Sequence, residues 1–411
     1  MIRWIIFLVL FCIIDLYAFQ TFKTVTKNNW ILVLYWLISV LVIGNFVFNY
    51  YGFNRSDGFS HSNAYAFGFF IAILIPKMVL LISMFGEDIF RVPQAIYRYF
   101  TEGTVANGNY FTSRRQFISK IALGIAAIPL ASIIYGMYKG KYNYKVLKYT
   151  LSFEDLPEAF DGYKITQISD IHSGSFDNID KINYAVDLIN EQQSDVILFT
   201  GDMVNNKAEE LLPYMNVFGR LKAKDGLFSI LGNHDYGDYV TWETEDAKQQ
   251  NLAYLKALQK QIGFDVLLNE SRFLEKNGER IALVGVENWG IGGFKKAGDL
   301  QLAASGIKND DFKILMSHDP THWEKVVIKD ANHYHLTLSG HTHGMQFGIE
   351  IPGWFKWSPI KWRYKYWVGI YSEMGQYINV NRGFGYLAFP GRVGIWPEIT
   401  VIELKKGTAI T

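Results

Sequence analysis

Residues 163–174 read YKITQISDIHSG, a short β-rich run that ends in Asp170-Ile171-His172. The same grammar recurs downstream. Run 195–200 (DVILFT) is followed by Gly201-Asp202, and run 226–231 (GLFSIL) by Gly232-Asn233-His234-Asp235. Run 312–316 (FKILM) leads into Ser317-His318-Asp319, and run 334–338 (YHLTL) into Gly340-His341-Thr342-His343-Gly344. A further strand, 281–286 (IALVGV), closes a predicted hairpin over 273–286 that turns at Asn277-Gly278. Helix-length polar segments at 178–193, 242–262 and 321–328 lie between these strands. The alternation predicts an α/β domain of sheets covered by helices. In open α/β sheets, ligands gather at the loops beyond the carboxyl ends of strands. Five loops could therefore deliver Asp, Asn and His side chains to one crevice.

The residue types fit divalent-metal chemistry. Neutral imidazoles and carboxylates suit Zn, Fe and Mn. A one-residue gap, as in Asp170-x-His172 or His341-x-His343, lets both side chains of an extended loop reach neighbouring centres. Asn233 adds an oxygen without a charge, and Gly201, Gly232, Gly340 and Gly344 let the backbone turn and approach closely. Each piece alone has a bland reading: Asp-x-His and Gly-Asp are common in turns and caps, and His-x-His is often structural. Order and completeness are what point to a metal centre built from Asp170, His172, Asp202, Asn233, His318, His341 and His343.

Composition narrows the rest. A net charge of +1 over 411 residues argues against a generic polyanion binder. The single cysteine, Cys12, excludes an intrachain disulfide framework, and no CxxC pair is present for a zinc ribbon. Four apolar stretches, roughly 3–22, 29–50, 64–86 and 117–137, each have about the 20 residues that cross a bilayer core. Buried helices of a soluble core are the alternative, but four such runs with little amphipathic alternation favour membrane insertion. The expected layout is a membrane domain over 1–140 and a catalytic domain over 143–411. Asp15 and Lys77 fall at similar depths in the first and third spans, which run in the same direction. A contact between them is one reading; each facing a polar cavity or snorkelling alone is the other.

Orientation follows from basic residues near the spans. Arg91, Arg98, Arg114 and Arg115 lie in the third loop, Lys23 and Lys27 in the first, and only Arg55 in the second. This places the first and third loops in the cytoplasm and the C-terminal domain outside it, although Lys139, Lys141, Lys145 and Lys148 vote the other way. The run Ser113-Arg114-Arg115-Gln116-Phe117-Ile118-Ser119-Lys120 resembles a twin-arginine export signal, which carries folded, metal-loaded domains outward.

At its metal-binding motifs the chain resembles the calcineurin-like metallophosphoesterases, over about residues 150–411. It looks most similar to the bacterial branch in which a membrane or twin-arginine segment precedes the catalytic domain. Gly369-Ile370-Tyr371, Asn381-Arg382-Gly383-Phe384-Gly385, Pro390-Gly391-Arg392 and Pro397-Glu398-Ile399 resemble that branch's C-terminal signature. Met345 departs from it, standing where the branch usually has a second glycine after G-H-T-H-G.

The resemblance implies a four-layer sandwich, two β-sheets flanked by helices, behind an N-terminal bundle of four transmembrane helices. It implies two divalent metal ions, Mn, Zn or Fe: one on Asp170, His172 and His343, the other on Asn233, His318 and His341, with Asp202 bridging. It also implies that His234 faces the substrate as general acid or transition-state stabiliser, oriented by Asp235. The function expected is hydrolysis of a phosphate ester or pyrophosphate on a small molecule or a lipid. Hydrolysis of UDP-diacylglucosamine, known among relatives, is a specific alternative that needs a cytoplasmic site. A non-catalytic membrane sensor or scaffold is the other.

His61, His322, His333 and His335 lie outside the motifs and read as structural, with His335 near enough in sequence to support a ligand. Segment 354–367 (WFKWSPIKWRYKYW) mixes aromatics with Lys356, Lys361, Arg363 and Lys365. It suits a lipid headgroup interface or a packed lid beside the active site. The bilayer is the expected partner; nucleic acid is not expected, given the near-neutral charge.

Overall fold

The computed structural model describes residues 2–51, 53–102, 108–351 and 354–408. Two compact units divide the chain: Met1–Phe53 with His61–Tyr138, and Asn54–Ser60 with Lys139–Thr411.

The first unit is four helices: α1 (Ile2–Val25), α2 (Asn29–Tyr51), α3 (His61–Glu102) and α4 (Gly108–Tyr138). Each is long and apolar enough to cross a membrane. Their large apolar side chains point outward, among them Leu10, Ile13, Leu34, Leu41 and Ile128. Inside, Ala18, Ala122 and Ala126 pack with Leu80, small residues that let helices approach closely. The Asp15–Lys77 contact is present at 2.7 Å, and Ser39 donates to Asp15 Oδ2 at 2.5 Å. Tyr35 donates to the Asp15 backbone carbonyl at 2.9 Å. The pair is buried and hydrogen-bonded, which is how an ionisable group is tolerated in an apolar bundle.

α3 runs past the apolar stretch to Glu102, and just beyond that stretch it carries Glu87, Asp88 and Arg91. Arg115 of the double-arginine motif lies 2.6 Å from Asp88 and 3.3 Å from Glu87, and Arg91 lies 2.6 Å from Asp88. Arg115 is thus engaged in holding α4 to α3.

Among the described residues the second unit has fourteen strands: β1 (Lys145–Phe153), β2 (Lys164–Ile168), β3 (Val196–Phe199), β4 (Leu227–Ser229), β5 (Phe264–Val266), β6 (Glu270–Lys276), β7 (Glu279–Gly285), β8 (Lys313–Met316), β9 (Leu336–Ser339), β10 (Ile349–Ile351), β11 (Phe355–Trp357), β12 (Gly369–Glu373), β13 (Gln376–Val380) and β14 (Glu398–Lys406). One sheet is ordered β1-β14-β2-β3-β4-β5 and the other β12-β13-β9-β8-β7-β6, with β10 and β11 forming a separate hairpin. β2 to β5 are mutually parallel, as are β7, β8, β9 and β13.

The unbroken apolar runs follow from burial on both faces. In β3, Val196 and Leu198 join the core between the sheets, while Ile197 and Phe199 join the core under helices Ile179–Asn190 and Glu245–Ile262. In β8, Ile314 and Met316 face the other sheet and Leu315 packs with Trp323 on the outer side. The expected helix–sheet–sheet–helix layering is therefore realised. The β6–β7 hairpin turns where expected, with Asn277 and Gly278 at φ 51° and 81°, as a two-residue hairpin turn requires. β1 and β14, which pair in parallel along nine residues and close one sheet, were not evident in the sequence.

Candidate metal centre

Every motif stands at the carboxyl end of a parallel strand. Asp170 and His172 follow β2, Asp202 follows β3, Asn233 and His234 follow β4, His318 follows β8, and His341 and His343 follow β9. Tight turns leave these strands in an unusual backbone state. Asp170, His172, Asp202, His341 and His343 all adopt left-handed φ, between 49° and 72°. Non-glycine residues avoid this region, and clusters of them mark sites where geometry outranks local comfort. Two glycines make the close approach possible. A Cβ on Gly340 would lie 2.2 Å from Asp170 Oδ2, and one on Gly232 would lie 2.2 Å from Asp202 Oδ1.

The side chains gather into two clusters, Asp170–His172–His343 and Asp202–His318–His341, each with its ligand atoms within 4.8 Å of one another. In the first, His172 Nε2 and His343 Nε2 are 3.0 Å apart and His343 Nε2 is 3.2 Å from Asp170 Oδ1. In the second, His341 Nδ1 lies 3.3 Å from His318 Nε2 and 2.7 Å from Asn233 Oδ1, which brings the amide into the group. Asp202 Oδ2 stands between the clusters, 3.5 Å from His172 Nε2 and 3.1 Å from His318 Nε2. Its other oxygen accepts the His234 backbone N–H at 2.8 Å. All seven expected ligands are therefore together.

The outer atoms fix which nitrogen faces inward. His318 Nδ1 donates to the Thr200 carbonyl at 2.7 Å, leaving Nε2 for the centre. His341 presents Nδ1, because its Nε2 is held by the Tyr364 hydroxyl at 2.8 Å and lies 3.4 Å from Asp319 Oδ2. Arg392, fully buried, reaches His343 Nδ1 at 3.2 Å while donating to the carbonyls of Gly383 and Gly385. The loops are also stitched together: His341 N–H donates to both Asp170 oxygens at 3.0 Å.

Electrostatics mark the centre as a place where charge is compressed. Burial disfavours ionisation of Asp170 and Asp202, yet neighbouring imidazoles, led by His343 and His318 respectively, hold both carboxyls well below the usual range. Burial pulls His318 down, but Asp202 more than reverses this and the ring is pushed up to about 10. Burial pulls His172, His234 and His341 below their ordinary values. A pair of carboxylates, four imidazoles and an amide oxygen, with outer atoms tied down, is a donor set that fits divalent ions.

Two expectations need correcting. Asp235 does not orient the His234 ring. Its oxygens accept the backbone N–H groups of Asp202, Met203 and Gly232 at 2.8–2.9 Å, which staples the β3 loop to the β4 loop. Burial and the Asp202 charge push Asp235 up to about 7. His234 is oriented instead by the Asn205 carbonyl, 2.8 Å from its Nδ1, and by the Tyr239 ring at 4.3 Å. His335 supports no ligand: its Nε2 lies 2.6 Å from Asp155, and its ring stacks on Phe312. His322 is structural, as expected; its Nδ1 is 2.8 Å from Ser317 Oγ, and burial holds the ring down to about 4.

Segment 354–367 divides in two. Tyr364, Tyr366 and Trp367 are buried, and Tyr364 touches the centre, whereas Trp354 and Trp362 are 80% and 76% exposed. Lys356 donates to the Val368 carbonyl, and Lys365 pairs with Glu373 at 3.0 Å. Tyr239, Asn205, Asp319, Tyr364 and Arg392 went unassigned in the sequence. Asp319 and Arg392 stood within quoted motifs and Tyr364 within the quoted segment 354–367, whereas Tyr239 and Asn205 stood in neither.

Comparison with known proteins agrees with this geometry. Residues 2–141 match the family described as the probable calcineurin-like phosphoesterase transmembrane domain, and residues 163–345 match calcineurin-like phosphoesterase. The uncharacterized metallophosphoesterase YkuE of Bacillus subtilis is 31% identical over 302 residues, covering 71% of this chain and 98% of its own length. A transmembrane protein with metallophosphoesterase domain from Danio rerio is 29% identical, covering 74% of this chain and 65% of its own. An uncharacterized metallophosphoesterase of Helicobacter pylori is 25% identical and covers 94% and 92% of the two chains. This chain belongs to the calcineurin-like metallophosphoesterases and carries an N-terminal transmembrane domain of four spans.

Proposed function

We propose that the chain hydrolyses a phosphate ester or pyrophosphate at a two-metal centre, with a lipid-linked phosphate as the favoured substrate class. The observation that carries this is Asp202 Oδ2 placed between His172 and His318, joining two ligand clusters through one carboxylate. Asp170, His172 and His343 would hold one ion, Asn233, His318 and His341 the other, and Asp202 both. Mn, Zn and Fe all suit the donors. When bound, such a pair would supply neutralisation of phosphoryl charge and would make a water acidic enough to attack at neutral pH.

The chain's own groups do the rest. Asn205 fixes the His234 ring so that Nε2 is free for the substrate. Burial keeps that ring neutral, and an arriving phosphoryl anion raises its proton affinity, so it becomes able to protonate the leaving oxygen. Asp235 acts as a positioning residue, holding the Asp202 loop against the Asn233 loop. A sensor or scaffold role is disfavoured, since a decayed site loses ligands and all seven are present.

Two features support a lipid substrate: the chain's own four spans, and the exposed Ile349, Ile351, Trp354 and Trp362 close in sequence to the GHTHG loop. The basic loops favour an extracytoplasmic domain. The double-arginine run Arg114-Arg115 supports the same orientation against the opposing vote of Lys139, Lys141, Lys145 and Lys148. A reporter fused after Thr411 should be active outside the cytoplasm; activity inside would reverse the orientation and favour a nucleotide-linked lipid. For the reaction itself, purified protein in detergent should hydrolyse bis(p-nitrophenyl) phosphate with Mn or Zn and stop on chelation. Turnover that persists in chelator would refute a metal centre.

A further inference from the structure

The mouth of the centre holds a cation with no acidic partner. Arg363 is exposed, and among the described residues no carboxylate pairs with it. Its guanidinium carbon lies 5.4 Å from the Phe294 ring centroid and 5.5 Å from that of Tyr364. Both rings border the second cluster: Phe294 stands edge-on to His341 at 4.8 Å, and the Tyr364 hydroxyl reaches His341 Nε2 at 2.8 Å. Across the opening, Tyr239 packs on His234, and its hydroxyl accepts from Asn233 Nδ2 at 2.8 Å.

Of the segment's other cations, Lys356 is held by a carbonyl and Lys365 by Glu373, and Lys361 is exposed, with no contact among the described residues to the aromatic rings at the centre. Aromatic rings steady a guanidinium by contact with its flat face and leave its N–H fork free for an anion. The metal ligands themselves account for only one phosphoryl group.

Building on the metallophosphoesterase reading, we propose that Arg363, framed by Phe294 and Tyr364, is a specificity-determining subsite for a second anionic group on the substrate, adjacent to the phosphoryl that is cleaved. A substrate carrying two neighbouring anions is then preferred over an isolated phosphate monoester. Tyr364 links the subsite to the chemistry, since one segment both holds His341 and carries Arg363.

The test is calorimetric and needs no turnover. Full-length protein loaded with Mn is titrated with methylenediphosphonate and, separately, with methylphosphonate. Arg363→Gln should weaken the diphosphonate about tenfold or more, the scale of a lost charge-assisted hydrogen bond, and leave the monophosphonate within about twofold. Arg363→Lys should recover part of the loss, and bound metal should not change in either variant. Equal weakening of both ligands, or none of either, overturns the subsite. Failure of the wild type to cleave any phosphate ester would count against the enzymatic reading, while the calorimetric difference would still decide the subsite.

Discussion

Asp202→Asn is expected to remove both metal ions at once and to lower hydrolysis by about a thousandfold. The substitution keeps the shape of the side chain and an oxygen able to accept the His234 backbone N–H, so the β3 and β4 loops stay joined. What it removes is the charge shared between His172 and His318. Each ion then loses an anionic ligand, and metal-borne stabilisation of a phosphoryl transition state is a matter of several kcal/mol, or about a factor of a thousand in rate. Asp202→Ala is the poorer experiment, because it also orphans a buried N–H. Elemental analysis beside the rate makes the prediction sharp: metal content should fall together with activity. An Asn variant that keeps two ions and loses only rate would mean that Asp202 acts elsewhere in the reaction.

His234→Ala should do the opposite on metal and nearly the same on rate. The ring contributes no ligand atom to either cluster; its Nδ1 is spent on the Asn205 carbonyl. Removing a proton donor near the leaving oxygen costs about 10²–10⁴ in rate. The loss should fall on kcat, and it should shrink with p-nitrophenyl esters, whose leaving group needs little protonation. A variant that loses metal would contradict the assigned part. Together the two substitutions separate the ions' share of the work from the ring's.

The sequence carried the ingredients of the centre further than their arrangement. The seven candidate ligands were legible because each stands just past a strand end, most of them beside small residues that allow a sharp turn. The strands were legible because burial on both faces writes them as unbroken apolar runs. Other features had no local signature. β1 mixes Lys, Tyr, Thr and Ser with apolar residues without a clean alternation, and its partner β14 lies more than two hundred positions away. α3 continues beyond its apolar stretch, where Asp88 and Glu87 meet arginines on the next helix and turn, a pairing that sequence spacing alone does not show. The orienting groups, Asn205 and Tyr364 above all, act through a carbonyl or a hydroxyl delivered by tertiary packing. Asp235 shows the same limit from the other side: adjacency to His234 suggested a partner, whereas the turn points its carboxyl at backbone amides.

The left-handed backbone at five of the ligands belongs with this account. Asp, Asn and His tolerate that region better than most residues, and here ligand geometry and backbone turn are satisfied by the same side chains. Met345, at φ 56°, has no such tolerance, which explains why glycine is the easier residue there.

The most direct test is a metal titration of the stripped, full-length protein, following bound Mn and hydrolysis of bis(p-nitrophenyl) phosphate in the same samples. The account predicts that binding saturates at two ions per chain and that activity climbs with the second. Full activity at one ion per chain, or two ions bound without hydrolysis of any phosphate ester offered, would contradict it.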